Sequence, residues 1–253
     1  MATTAPSPDL APAPAPPITR IHRLSFGFGA VANGVKNAAF STYLLLFYNQ
    51  VLGVPAAIVS GAIALTLLVD AFADPFIGRW SDMTRSRIGR RHPFIFGSAL
   101  PTAAFFVLSW FPPAGLSDMQ MGFWIFALAA LTRMSISAFE IPTSAMAAEL
   151  TDNYSERTGL FGLRYFFGYL GGYGMSILAL AVFLAPTAEY PIGQLNPVGY
   201  WTFGLVGSVV MFGTVMISTA GTHHRIKYLR KLPPPQRGNP LETFMLMRRT
   251  FSN

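Results

Sequence analysis

Six apolar stretches, near residues 24–50, 56–79, 94–111, 121–148, 159–185 and 199–221, constrain this chain more than any other feature. Each reaches or approaches the roughly 20 residues that cross about 30 Å of hydrocarbon. The third is the shortest and stops at the turn FPPAGLSD. In lipid the backbone must satisfy its own polar groups, which leaves helices or closed barrels. The stretches lack the alternation of barrel strands. The expectation is an all-α membrane protein, a bundle of six transmembrane helices. Only 11% of the residues are charged, against about 25% in an average soluble domain.

The formal net charge of +7 by itself suits nucleic acid or anionic lipid. Its distribution decides between them. Fifteen of the 18 Lys and Arg lie in the two terminal tails, the second-to-third connection and the fourth-to-fifth connection. The alternate connections, NQVLGVPAA, FPPAGLSDMQM and APTAEYPIGQLNPVG, hold none. This is the positive-inside pattern. It predicts a multi-pass protein of the cell membrane with both termini cytoplasmic, and it explains the basic balance with no nucleic acid as partner. Residues 1–20 read as a disordered Pro/Ala-rich tail. Residues 21–222 are expected to form the bundle, and 223–253 to begin as a basic cytoplasmic stretch. With no Cys in the chain, disulfides and thiolate metal sites are excluded.

The remaining cations, Lys36, Arg133 and Arg164, fall inside predicted spans, and so do three acids, Asp70, Asp74 and Glu140. Ionisable groups in a span cost at least about 2.5–3.5 kcal/mol each at the helix centre and usually mark a pathway. Their charges sum to zero, which suggests one shared polar cavity. Asp70 and Asp74 are one turn apart on a common helix face. Such a pair suits a hard cation such as Na⁺, or a proton, because adjacent carboxylates raise one another's proton affinity. The alternative is a permanent pair with Lys36 or an Arg. Pro75 removes a backbone bond beside Asp74, which either bares a carbonyl ligand or only kinks the helix. Glu140 and Arg133 share roughly one face, so Arg133 reads as a structural partner of Glu140. Carboxylate and guanidinium groups bond sugar hydroxyls well, and aromatic faces cover sugar rings. Tyr43, Phe139, Tyr165 and Phe166 are the candidate aromatics.

The connection GRWSDMTRSRIGRRHPF carries Gly78, Asp82, Arg87, Gly89, Arg90 and Arg91. Gly78 and Gly89 permit close approach and tight turning. Asp82 either caps a helix or pairs with an Arg of the cluster. Glu149, Asp152 and Arg157, around the cytoplasmic end of the fourth stretch, suggest either a charge network able to latch one state or simply a solvated loop. Gly168 and Gly172 make a small face for close helix packing.

The run SRIGRRHPF resembles the loop between the second and third helices of major facilitator transporters, most closely the glycoside–pentoside–hexuronide:cation symporters and plant sucrose carriers. LSFGFGAVANG and YLLLFYNQVLGV resemble the first helix of that symporter family. DAFADPFIG resembles its paired-aspartate cation motif, FEIPTSAMAAELTDNYSERTGL its fourth helix and following loop, and LRYFFGYLGG the start of its fifth. The similarity covers residues 24 to about 180, in the correct order. It implies the N-terminal half of a major facilitator fold, with Asp70 and Asp74 at the cation site and with residues 223–253 as the basic linker and start of a second half. It also implies that Glu140 and Arg164 bind sugar hydroxyls. Gly34 stands where the melibiose-type pattern has a sugar-binding aspartate, and Asn33, Lys36 and Asn37 flank it.

These readings converge on cation-coupled (Na⁺ or H⁺) symport of a sugar or glycoside, with no other cofactor. The implied partners are the sugar, the coupling cation, the lipid bilayer and a C-terminal six-helix half. The alternative is a non-transporting six-helix fragment or assembly partner. An enzyme is not expected. No His pair at metal spacing lies in a span, and no Ser–His arrangement is evident.

Overall fold

The computed structural model describes residues 17–86, 88–151 and 153–225. Among these, all regular structure is helical. The expected tails, 1–20 and 223–253, fall mostly outside the described residues, as do Arg87 and Asp152.

The first rod is built in pieces: α1 (Arg20–Phe28), α2 (Ala30–Ala38), a π turn (Ala39–Tyr43), α3 (Leu44–Leu46) and a second π turn (Phe47–Val51). The second and third rods are α4 (Ala56–Met83) and α5 (His92–Leu108). The fourth is α6 (Asp118–Leu150). The fifth is α7 (Tyr154–Leu178), prolonged by a π turn (Ala179–Phe183), and the sixth is α8 (Pro197–His223). Four rods, namely 56–83, 118–150, 154–183 and 197–223, are long and apolar enough to cross a membrane.

Local chemistry sets the ends. Ser117 and Gln120 form a reciprocal capping box at the start of α6, which satisfies two otherwise orphaned donors. Asn153 accepts from the amides of Ser155 and Glu156 and opens α7. Asn196 accepts from the Val198 amide, with Pro197 at the first helical position of α8, where a missing N–H costs nothing. Gly89 turns the second-to-third connection with φ of 87°, a conformation that side chains resist. α4 continues through Pro75 without ending.

The rods do not pack in chain order. The first lies against the fifth and sixth, the third against the fourth and sixth, and the second against the fourth. The fourth and fifth, though consecutive, barely touch, and the space between them becomes the site. The first and fifth rods cross closely. A Cβ on Gly34 would run into the Gly168 carbonyl and come 2.8 Å from the Gly172 nitrogen. The small face expected at Gly168 and Gly172 therefore meets a third glycine, and helix backbones touch directly. An aspartate cannot stand at Gly34 in this packing, which gives a steric reason for the departure from the melibiose-type pattern.

An aromatic core joins rods one, three and six. Trp110 stacks on Tyr200 with centroids 6.1 Å apart, and Phe47 and Phe203 close around them. The Tyr48 hydroxyl donates to the Ser109 carbonyl at 2.7 Å. This core leaves the arginine-bearing connections at the other end of the bundle.

Candidate functional site

Between the first, fourth and fifth rods lies a cavity of about 590 Å³, within the usual range for small-molecule sites. α2 and the π turn after it contribute Asn33, Asn37, Ser41 and Thr42. The fourth rod contributes Glu140 and Ser144. The fifth contributes Arg164, Tyr165, Tyr169, Tyr173 and Ser176. Asn33, Asn37 and Ser41 recur every fourth residue, and so do Tyr165, Tyr169 and Tyr173, so each set occupies one face. Tyr169 and Tyr173 stack with their planes 14° apart.

Glu140 Oε2 accepts from Arg164 Nη2. Glu140 Oε1 and Arg164 Nη1 are buried without a hydrogen-bond partner. The pair thus holds itself together with one atom each and leaves one acceptor and one donor. Arg164 is 6% exposed, and its guanidinium lies 5.2 Å from the Phe26 ring centre, a cation–π contact that fixes its plane. The wall carries a charge-assisted pair, two amides, four hydroxyl side chains from Ser and Thr, and a row of tyrosines. It can bond many hydroxyls at once and cover an apolar ring face.

Behind the cavity sits a second charged layer. Arg133 Nε donates to Asp70 Oδ2 at 2.5 Å. This corrects the expected pairing of Arg133 with Glu140. Asp70 projects from α4 onto the neighbouring fourth rod, whereas Glu140 faces the fifth. Lys36 was expected beside the substrate, but it is not among the residues lining the cavity. It is buried, 7% exposed, within electrostatic reach of Arg133, Asp70, Glu140 and Asp74. One face of the first rod therefore offers Asn33 and Asn37 to the cavity while Lys36 serves the layer behind. One carboxylate oxygen each of Asp70 and Asp74 is buried without a partner.

The aromatic expectations divide. Tyr165 lines the cavity. Phe139 is fully buried, Tyr43 is buried and donates to the Ser176 carbonyl, and Phe166 packs edge-on against Phe167. Ser41, Thr42, Ser144, Tyr169, Tyr173 and Ser176 were missed. The four-residue tyrosine spacing was the available signal for two of them.

At the arginine-rich end, Glu149 accepts from Arg90 and forms an ion pair with Arg91 at 3.0 Å. Arg91 also holds Asp82 at 3.0 Å, so Asp82 pairs rather than caps. Burial pulls the Arg91 guanidinium below its usual range, and the bond to Asp82 opposes that shift. Arg91 stays charged regardless. Gly78 approaches Ile141 of the fourth rod. Arg157 binds the Thr151 carbonyl at 3.2 Å and takes no part in the Glu149 cluster. Arg23 pairs with Glu156 at 2.7 Å, a link between first and fifth rods that the sequence did not suggest.

The sequence family described as MFS/sugar transport protein matches residues 25–253. An uncharacterized symporter of Synechocystis is 31% identical over 204 residues, 79% of this chain and 37% of the relative. The isoprimeverose transporter of Lactiplantibacillus pentosus is 31% identical over 206 residues, 81% of this chain and 42% of the relative. A glucuronide carrier protein homolog of Escherichia coli is 28% identical over 197 residues, covering 75% and 41% respectively. The chain belongs to the MFS sugar-transport family, in its glycoside–pentoside–hexuronide symporter branch. It spans about two fifths of the length of these relatives. It has the all-helical architecture of an N-terminal major facilitator half.

Proposed function

We propose that this chain supplies the N-terminal half of a symporter that carries a sugar or glycoside together with a cation. One observation carries the reading. The cavity is lined by a partly satisfied Glu140–Arg164 pair, Asn33, Asn37 and a tyrosine row. Hydroxyls of a sugar would take the free Glu140 oxygen and Arg164 nitrogen, the amides would bridge neighbouring hydroxyls, and the tyrosines would cover the ring. Asp70 and Asp74 would bind the coupling Na⁺ or H⁺. Lys36 would connect the two layers electrostatically, so that loading one alters affinity in the other, a reciprocal coupling.

The proposed partners are the sugar, the cation, the bilayer and a C-terminal half. α4 and α7 support the last. Phe72 and Phe76 on one, and Tyr165 and Tyr169 on the other, stand mostly exposed. Substrate sites in such folds lie between halves. The charge asymmetry supports cytoplasmic termini, with the Glu149 cluster at the inner surface. The test is uptake of a panel of radiolabelled methyl glycosides by membrane vesicles carrying the full-length protein. Uptake should follow an imposed cation gradient and vanish in Glu140→Gln. If Glu140→Gln and Asp74→Asn both transport like wild type with unchanged ion dependence, the reading is wrong.

A further inference from the structure

Which cation is coupled is open in the reading above, and this inference rests on that reading. Asp70 already has a cation. Arg133 reaches it from the neighbouring rod at 2.5 Å, and both side chains are largely buried, 20% and 15% exposed. Lys36, 7% exposed, brings a second positive charge within reach of both aspartates. The two acids and two bases sum to zero before any ion arrives.

We propose that Arg133 occupies the place a coupling sodium would take, so that this protein is driven by protons, carried at Asp74, and not by sodium. The physical argument is coordination. A hard cation surrounds itself with several oxygens. Here one oxygen of Asp70 is committed to Arg133, which leaves the other Asp70 oxygen, buried and unbonded, and the carboxylate of Asp74, whose Oδ1 is likewise buried and unbonded. No third carboxylate or imidazole joins them among the described residues. To complete a shell, sodium would have to displace a guanidinium into low-dielectric surroundings, where an unpaired charge is costly. A proton needs one oxygen and no shell. The O–H bond formed at Asp74 Oδ1 breaks again when the proton leaves on the other side. Asp74 shares its helix face with Asp70, and Lys36 on the first rod lies within electrostatic reach of Asp74, Asp70, Arg133 and Glu140; Arg133 in turn pairs with Asp70, and Arg164 with Glu140.

The experiment uses the full-length protein in two formats. In vesicles, uptake of the methyl glycoside panel is driven either by a proton gradient in sodium-free medium or by a sodium gradient with a protonophore present. In detergent, the unfolding midpoint of purified protein is compared in sodium chloride and choline chloride. The expected result is at least tenfold stimulation by protons, none by sodium, and no sodium-specific midpoint shift. Arg133→Ala should acquire a saturable sodium shift. Arg133→Lys, which keeps a cation beside Asp70, should not. Where Arg133→Ala does not fold, the double variant Arg133→Ala/Asp70→Asn removes both charges, and the wild-type results still decide. Sodium-driven uptake, or a saturable sodium shift in wild type, overturns this assignment and leaves symport standing. Uptake indifferent to both gradients overturns symport and this assignment with it.

Discussion

The molecule holds two ionic layers built from the same residue types. Within the spans, Asp70 pairs with Arg133 and Glu140 with Arg164, one acid to one base, with free oxygens on both acids. At the arginine-rich end, Glu149 alone serves Arg90 and Arg91, while Asp82, 52% exposed, meets Arg91 near water. The connection that carries the second layer holds five arginines, Arg79, Arg85, Arg87, Arg90 and Arg91, against Asp82 and Glu149, and solvent and lipid headgroups can balance the excess. The first cannot rely on either, so its charges cancel among themselves. Neutrality inside the bilayer and excess at its surface are two answers to one desolvation cost.

The comparison breaks if the two layers respond alike to mutation. Arg164→Ala leaves Glu140 buried without its partner, and should cost about 3–5 kcal/mol in unfolding measured in detergent. Glu140→Ala/Arg164→Ala should cost less than the sum of the two single changes, because no charge is stranded. Glu149→Gln should cost about 1.5–3 kcal/mol, the range for a hydrogen bond to a charged group. Its penalty should shrink in about 1 M salt, where the screening length falls to about 3 Å. The Arg164→Ala penalty should hold at the same salt. Gly34→Ala sharpens the positional side of the contrast. By forcing the first and fifth rods apart it should cost about 1–3 kcal/mol and weaken glycoside binding, measured by calorimetry, without altering any charge. Smallest of all, Arg23→Ala breaks a pair that is 41% and 31% exposed and should change the same unfolding free energy by less than about 1 kcal/mol.

Much of the architecture was legible in the sequence because hydropathy reports directly on lipid. The second rod begins at residue 56, where the apolar stretch begins. Misplaced ends have a common cause. α7 starts at Tyr154 rather than 159, because Asn153 caps it and its first turn is polar. α4 runs on to Met83 past the basic residue that marks the membrane edge. A hydropathy pattern sees oil, whereas the helix also continues through the interface. The π turns at 39–43 and 179–183 left no readable trace, since they answer to packing between rods. One of them carries Ser41 and Thr42 onto the cavity wall, and such insertions often mark functional sites.

The charges of the spans were visible as a balanced set, but their partners were not. Arg133 shares a helix with Glu140, and same-face spacing pointed to that neighbour. The choice instead fell to packing between rods, which set Asp70 against Arg133 and left Glu140 to the fifth rod. Lys36 shows the same thing on a smaller scale. Its neighbours Asn33 and Asn37 face the cavity, and about 100° of helical rotation per residue carries its ammonium to the layer behind.

The chain's order of residues alone decided that six apolar stretches would become helical rods, which connections would be basic, and that six ionisable groups would lie within those rods. Those outcomes follow from local transfer energies and need no knowledge of neighbours. Which acid meets which base, where a void opens and why Gly34 admits no side chain depended on how the rods pack, because contacts between distant segments exist only once the helices cross.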